Sequence, residues 1–511
     1  MQQLIGAGSR RVALLVAVAA LAGAARAEEQ TAITIYSSAR PGAIPPELYR
    51  PLPGGVVANA RSVPGYAVVR QDRSLQLPQG RSTLRFTDVA ALIDPTTVTF
   101  ASLTEPRTLV LQQSFQFDLV SIDKLLLKYI DKPVVVERIS GPQATSVSGT
   151  LLSASDGLVL RAQDGSIHAL HDYSQVSFPA LPGGLDTRPT LVWDVISPRA
   201  GEQRTRVTYQ TGGITWWADY NALFRDGSDA NSGLLDLSAW VSIVNLSGQS
   251  YADAVLKLIA GDVNRLPEPT VLFARRAFEA PAPAAEAGAA GFSEQPFFEY
   301  HLYTLGRRAS LPNDSTQQLE LFEPVHQIPV QKLLVYAGAP QATFGPRPLL
   351  ERELGVSGNT KVAVYLQFRN DAKGGLGLPL PSGRIRVSKL DPTDQSAELI
   401  GEDRLDHTPK GELVRVRMGD AFDVVGERHQ LDFAADNRAR WIEEEIEIRL
   451  HNHKDQAVNV QVREALNRWS NWRILSQSQA YEKLDAHTIA FAVTVPKQGE
   501  AAVRYRVRYT W

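Results

Sequence analysis

Apolar and polar residues alternate one by one along most of this chain beyond residue 30, in short runs that end at Gly, Pro, Asn or Asp. Successive side chains of a β-strand point to opposite faces, so this period is typical of strands with one face in a core and the other in water. Because turn residues separate the runs, the pattern predicts a mainly β protein of several antiparallel β domains with few helices. The clearest alternating runs are Thr31–Tyr36, Val362–Phe368, Gly383–Val387, Leu413–Arg417, Glu445–Leu450 and Val458–Val462.

One segment has helical spacing instead. Residues Asp118–Ile130 carry apolar side chains three and four positions apart and stop just before Pro133, which predicts a short helix packed against a sheet. Five short strands with glycine-containing turns follow, and their spacing favours a small SH3-like β-barrel. These strands are Val134–Ile139, Val147–Leu152, Gly157–Arg161, Ile167–Leu170 and Val176–Phe178.

Composition and turn signals divide the chain into five segments. Residues 279–296 are rich in Ala and Pro and poor in large apolar groups, which indicates a disordered loop inserted within a domain. Turn-forming residues at 370–381 and 391–410 predict two long connections. The predicted segments are a signal peptide at 1–27, an N-terminal β region ending in a short helix at 28–130, the SH3-like barrel at 131–182, a central β domain containing the loop at 183–359, and a C-terminal β-sandwich at 360–511.

The first 27 residues have the pattern of a cleavable export signal. Arg10 and Arg11 precede a short apolar run, which ends in the small-x-small tripeptide Ala25-Arg26-Ala27. We expect cleavage after Ala27 and a soluble protein in the periplasm or outside the cell, exported either by the general secretory route or by the twin-arginine route. Beyond this segment no apolar run is long enough to predict a membrane-spanning helix.

The residue composition excludes several classes of site. The sequence has no cysteine, so it forms no disulfide, no thiolate metal site and no lipid anchor on cysteine. The formal net charge is −2, with 53 basic and 55 acidic residues. A near-neutral, mixed surface gives no electrostatic reason to expect nucleic-acid binding.

Several ordered motifs carry a resemblance to a known family. They are Tyr209–Tyr220, Leu237–Gly248, Tyr251–Gly261, Leu378–Val387, Leu399–Glu402, His407–Glu412 and Gly419–Val424. Over residues 183–511 the chain resembles the DUF4139 family of bacterial proteins, which includes the mucoidy-inhibitor-like proteins, but it lacks their long coiled-coil segment. The resemblance implies no particular reaction, because the family is known by its sequence pattern.

Two tryptophans stand next to each other in the first of these motifs. Adjacent residues of a strand face opposite sides of the sheet. Of Trp216 and Trp217, we therefore expect one to enter the core and the other to cover an edge or join an interface.

Two histidines, His451 and His453, are the candidate metal ligands. Alternate positions of one strand would place both imidazoles on the same face, where a zinc or copper ion could bind with a third ligand. They stand where one alternating run turns toward the next, however, so a solvated hairpin end is the simpler interpretation. The sequence therefore predicts no metal site and no cofactor.

Three residues of the motifs are candidate catalytic groups, namely Glu402, His407 and Asp423. A carboxylate and an imidazole brought together by the fold could act as acid and base on a polymer. The simpler interpretation is that they belong to turns and caps. Ser121 and Lys124 match a Ser-x-x-Lys pattern, but none of the companion motifs of a serine hydrolase follows.

The last residues, Val503–Trp511, alternate without a break and end in an aromatic residue. An outer-membrane β-barrel ends in this way, but the final strand of a soluble sandwich with its arginines in water has the same pattern. The sequence as a whole favours an exported, non-catalytic binding or scaffold protein of the bacterial cell envelope, whose partner is an envelope protein or a surface glycan. The alternatives are a periplasmic hydrolase of envelope polymers and an outer-membrane β-barrel protein.

Overall fold

The computed structural model describes residues 29–36, 44–49, 59–116, 119–140, 143–261, 263, 291–339, 347–354, 356 and 358–511. The predicted signal peptide at 1–27 lies outside these ranges, and so do residues 279–290 of the predicted loop. Strands hold 63% of the residues and helices 4%, which confirms the mainly β prediction.

The described part of the chain forms 29 strands, one α-helix and three short 3-10 helices, the latter at Pro46–Leu48, Ala60–Ser62 and Ala372–Gly374. The first half contains β1 (Gln30–Tyr36), β2 (Tyr66–Leu77), β3 (Gly80–Thr87), β4 (Ile93–Ser102), β5 (Leu109–Gln116), α1 (Ile122–Lys128), β6 (Pro133–Ser140), β7 (Gln143–Ser153), β8 (Leu158–Ala162), β9 (Ile167–Leu170), β10 (Gln175–Ser177), β11 (Thr190–Ser197), β12 (Gly201–Thr211), β13 (Ile214–Asp226), β14 (Ser232–Asn245) and β15 (Tyr251–Ala260). The second half contains β16 (Phe292–Phe297), β17 (Tyr300–Leu305), β18 (Ala309–Leu311), β19 (Ser315–Tyr336), β20 (Lys361–Arg369), β21 (Gly383–Leu390), β22 (Ala397–Leu405), β23 (Leu413–Asp436), β24 (Trp441–Asn452), β25 (Val458–Ala465), β26 (Trp472–Gln477), β27 (Glu482–Lys483), β28 (Thr488–Val495) and β29 (Gly499–Thr510).

The predicted helix forms as α1, but it is shorter than the sequence pattern. Ser121 caps its first turn, where the hydroxyl accepts a hydrogen bond from the backbone N–H of Lys124 at 3.3 Å. This contact accounts for the Ser-x-x-Lys spacing as helix capping. Leu126 and Tyr129 bury the apolar side of the helix against the sheet that follows.

That sheet has the five strands predicted for 131–182, in the order β10-β6-β7-β8-β9. Within the described residues the path runs from β10 to β9 without closing, so the SH3-like barrel expected here is an open sheet. The reason is that β10 has only three residues and pairs with β6, while β9 pairs with β8.

Apart from a three-stranded sheet in the order β3-β11-β5, two large sheets build the rest of the structure. One has eight strands, in the order β16-β17-β15-β1-β2-β12-β4 with β18 beside β15, and the other has thirteen, running β22-β21-β13-β14-β19-β20-β23-β24-β29-β26 with β25, β27 and β28 attached. Val69 and Tyr209 of the smaller sheet share one apolar core with Trp216 and Ile243 of the larger sheet. The larger sheet is continuous across residue 360, because β19 pairs with β20.

A second core fills the C-terminal part, between β24 and β29 on one side and β25 and β28 on the other. In β29 the alternation sends Val503, Tyr505, Val507 and Tyr509 into this core. The intervening arginines form ion pairs across the strand pair, Arg504 with Glu447, Arg506 with Glu445 and Arg508 with Glu443.

Two segments expected to be loops contain strands. Within 391–410, residues Ala397–Leu405 form β22, which pairs antiparallel with β21. At the end of 279–296, Phe292–Phe297 form β16, which pairs with β17. Both strands lie at sheet ends with many exposed side chains, so their sequences show little apolar alternation.

Three buried asparagines make the same clamp at three places. Asn245, Asn370 and Asn452 each stand at the end of a strand, and each side-chain N–H group donates to the carbonyls of a residue and of the proline after it. The clamped pairs are Leu311-Pro312, Thr408-Pro409 and Val495-Pro496, and in each case the strand that follows pairs with the strand of the asparagine. The same clamp thus recurs at the strand pairs β14–β19, β20–β23 and β24–β29, which lie side by side in one sheet.

Within the described ranges, no helix has the length and the apolar composition needed to cross a bilayer.

Candidate ligand-binding groove

Two of the motifs named in the sequence analysis, Tyr209–Tyr220 and Leu378–Val387, meet in space. Strand β13, from the first motif, pairs in parallel with β21, from the later motif, so that Asp219 lies beside Arg384. The hydroxyl of Tyr220 donates to the carbonyl of Pro381 at 2.7 Å in a buried position. Residues 161 positions apart in the sequence are thus in direct contact.

The adjacent tryptophans of β13 face opposite sides, as the sequence predicts. Trp216 is buried in the core between the two large sheets. Trp217 lies on the outer face, where Leu48 and Val244 pack beside it and the ring of Tyr49 stands 5.5 Å away. The segment 44–49 therefore covers one end of the outer face.

Asp219 organises the hydrogen bonds on this face. Its Oδ2 accepts from the indole N–H of Trp217 at 2.7 Å and from the hydroxyl of Ser242 at 2.9 Å. Gln318 in turn donates to that hydroxyl at 3.1 Å. Asp219 is only 6% exposed. This series of hydrogen bonds therefore fixes side chains of three neighbouring strands.

Two arginines of β21 face the same carboxylate. The Nε atom of Arg384 lies 3.6 Å from Oδ1 of Asp219, and Nη1 of Arg386 lies 3.7 Å from it. Among the described residues, neither that Nε nor that Oδ1 has a hydrogen-bond partner, although both atoms are buried. At these distances the guanidinium groups and the carboxylate attract each other as charges, without a direct hydrogen bond between Nε and Oδ1.

The charges in this cluster are balanced. Arg386 donates to Glu402 at 2.9 Å, and Arg384 lies 3.9 Å from the same carboxylate. Burial lowers the pKa of Arg384, but a hydrogen bond to Tyr49 and the charges of Asp219 and Glu402 outweigh it and raise that pKa above its usual value. The guanidinium group of Arg384 therefore remains charged beside the two carboxylates.

These side chains border a surface groove of about 260 Å³. Trp240 lines this groove and lies directly across the strand pair from Asp219, with 38% of its surface exposed. Asn221, Gln318 and Arg386 also line the groove. We call this site the Trp240 groove: an exposed indole surrounded by hydrogen-bonding groups.

The predicted catalytic residues fall at different places. Glu402 lies at the edge of the groove through its bond to Arg386. His407 follows β22, and its Nδ1 accepts from the backbone N–H of Ser382 at 3.1 Å. Asp423 is exposed on β23. The residues that line the groove include none of these three candidates.

The two candidate metal ligands are separated by the end of a strand. His451 belongs to β24 and lies 3.0 Å from a carboxylate oxygen of Glu500. His453 is exposed in the turn that follows, and its backbone N–H donates to the carbonyl of Asp423 at 2.8 Å. In the part of the chain that the structure describes, no group of three or more His, Asp or Glu side chains is arranged to hold a metal ion.

Sequence reasoning missed Asp219, Trp240, Arg384 and Arg386 as site residues. One signal was present: Leu237, Ala239 and Val241 point into the core, so Trp240 is a large aromatic residue at an outward position of an alternating strand. The other three residues become a site only through the pairing of β13 with β21.

No protein-family model matches this sequence, and no curated protein matches it either.

Proposed function

We propose that this chain is an exported, non-catalytic binding protein of the bacterial cell envelope, and that the Trp240 groove binds a surface glycan. The observation that carries the proposal is the exposed indole of Trp240 within a rim of amide and guanidinium groups. A flat aromatic ring packs against the C–H face of a sugar, while a few placed polar groups bond its hydroxyls.

The balance of charge supports a polar ligand of low charge. Arg384 and Arg386 are matched by Asp219 and Glu402 within 4 Å. A polyanion would have to compete with these carboxylates, whereas sugar hydroxyls can both donate and accept hydrogen bonds within such a cluster.

The bonding of the carboxylates supports binding over hydrolysis. A glycoside hydrolase needs a carboxylic acid that gives its proton to the leaving group. Oδ2 of Asp219 accepts from Trp217 and Ser242, and Glu402 accepts from Arg386. Both carboxylates thus serve to orient neighbouring donors.

The export step of this proposal depends on the predicted signal at residues 1–27, and membership in the DUF4139 family stays a prediction from its motifs.

The proposal is tested by co-sedimentation of the purified protein with purified cell-wall sacculi. We expect Trp240→Ala to reduce the retained fraction at least ten-fold, because it removes the stacking surface. Phe422→Ala is the matched control, since Phe422 is 94% exposed on β23 and is not among the groove's lining residues. Retention of Trp240→Ala at the level of the unaltered protein would falsify the groove assignment. Release of soluble sugar fragments from the sacculi would contradict the proposal that the protein is non-catalytic.

A further inference from the structure

We infer that a second saccharide site lies on the same face of the thirteen-stranded sheet, and that the ligand is a linear polymer of N-acetylated sugars that occupies both sites. The inference rests on the proposed function of the Trp240 groove and names the class of its ligand. It is carried by a second, larger depression between β19, β25 and β28.

This depression has a volume of about 570 Å³, and we call it the amide trough. Small side chains, Ala490 and Ala492, form part of its lining, and Tyr481 stands beside them. The Tyr481 ring meets Phe491 edge to face, with centroids 6.1 Å apart. Small residues next to a fixed aromatic ring let a flat ligand approach the strands closely.

Three carboxamide side chains, those of Gln331, Asn459 and Gln461, border the trough and are oriented by their neighbours. Arg463 donates to Oε1 of Gln461 at 2.8 Å, and Thr494 donates to Oδ1 of Asn459 at 2.9 Å. Within the described residues, Oε1 of Gln331 accepts from Gln367. Each of these oxygens accepts one bond and keeps a second lone pair, so each amide can donate to a ligand through its NH₂ group and also accept from it.

The charge of the trough indicates a neutral ligand. Among its lining residues, all of them described, Glu482 is the one charged side chain. Arg463, which bonds Gln461 and lies opposite Ala490, carries a positive charge at the border of the trough, so the two charges balance. The amide groups then offer hydrogen bonds to the carbonyl and hydroxyl oxygens of a neutral ligand. The acetamido group of an N-acetylated sugar supplies such a carbonyl on a neutral ring.

Strand register places the trough and the groove on one face. Gln331 of the trough lies opposite Ser232 of β14, and Gln318 of the groove lies opposite Ser242 of the same strand. Ser232 and Ser242 are an even number of residues apart in a strand, so both point to the same side. The ten residue steps from Ser232 to Ser242 span about 33 Å at the usual rise per residue.

A ligand that reaches both sites must therefore be long. A polymer bound at one site is held at a high effective concentration near the other, which raises its affinity without new contacts. A fragment shorter than the separation gains nothing from the second site.

The test compares triacetylchitotriose, which is too short to bridge, with glycol chitin, a soluble polymer of N-acetylglucosamine units. We expect glycol chitin to bind the purified protein at least ten-fold more tightly than the trisaccharide, per binding segment, in isothermal titration calorimetry. The variants Gln461→Ala and Ala492→Trp should each remove this gain. Neither should change the affinity of the Trp240 groove for the trisaccharide. Gln112→Ala, at an exposed position on β5, is the matched control for Gln461→Ala.

The outcomes separate the two proposals. Equal affinity for the trisaccharide and the polymer, or a polymer gain that survives both trough variants, overturns the second site. Failure of both probes to bind overturns the N-acetylated class. In either case, loss of sacculus binding in Trp240→Ala would still support the groove itself.

Discussion

Gly383 of β21 lies directly beside Ala218 of β13, and a Cβ atom on Gly383 would stand 2.3 Å from the carbonyl oxygen of Ala218. The parallel pairing that brings Arg384 to Asp219 thus requires a residue without a side chain at this position. The groove depends on this close approach of two backbones.

Substituting Gly383→Ala should push β21 away from β13. We expect a loss of about 1–3 kcal/mol in unfolding free energy, and a loss of sacculus binding because Arg384 and Arg386 move from the groove. Gly212→Ala is the control, since no atom lies within 4 Å of a Cβ built there. Denaturant unfolding and co-sedimentation measure the two effects. Normal binding by Gly383→Ala would show that the pairing does not position the arginines.

The asparagine clamp at Asn452 should be a major source of stability. Asn452 is 1% exposed and its side chain donates to the carbonyls of Gln456, Val495 and Pro496. Asn452→Ala leaves buried carbonyls without donors, so we expect a loss of about 2–4 kcal/mol in denaturant unfolding. Asn459→Ala, at an exposed position, should change stability by no more than about 0.5 kcal/mol. Similar losses in both variants would argue against the clamp.

Arg468 binds the segment 349–354 to the C-terminal core. Its guanidinium donates to Glu444 at 2.7 Å and to the carbonyls of Leu349, Glu351 and Leu354. Arg468 and Glu444 are both nearly inaccessible, with side chains 3% and 5% exposed.

We expect Arg468→Met to cost about 3–5 kcal/mol, because it leaves a buried carboxylate without its cation. Adding Glu444→Gln should recover part of this loss by removing the charge. Arg473→Met, at an exposed position, is the control. Guanidinium unfolding of the single and double variants measures the coupling, and a double variant no more stable than Arg468→Met would contradict an electrostatic cause.

The carboxylate of Glu105 should make stability depend on acid pH. Hydrogen bonds from Arg107 and, against the opposing effect of burial, from Arg199 lower the pKa of Glu105 from its usual 4.5 to about 2. A depressed pKa stabilises the folded state above pH 4.5, and this contribution is lost as the pH falls from about 4.5 toward 2.

Glu105→Gln should therefore lower the thermal midpoint at pH 7, and its difference from the unaltered protein should shrink between pH 4.5 and pH 2.5. Thermal unfolding followed by circular dichroism at these pH values provides the measurement. A difference that stays constant across the range would show that the charge of Glu105 does not contribute.

Much of the secondary structure follows from local patterns. The alternating run Glu445–Leu450 lies within β24, and Val458–Val462 lies within β25, because alternation reports a buried face wherever that face is packed. The edge strand β22 was missed, since most of its side chains are exposed and little alternation is needed there. Local sequence patterns also could not predict that the five-stranded sheet stays open, because closure depends on which strands pair with each other.

In the candidate site, too, some features follow from the local sequence and others only from the pairing of distant strands. The sequence by itself determined that Trp216 and Trp217 face opposite sides, since the geometry of one strand decides it. It also determined the mainly β class, since the period of two recurs along the chain. Only the tertiary structure decided that Asp219 meets Arg384 and that Trp240 stands among polar groups from four strands. These contacts arise from pairing between distant segments, and the partner of a strand is chosen by the packing of whole sheets and not by its own residues.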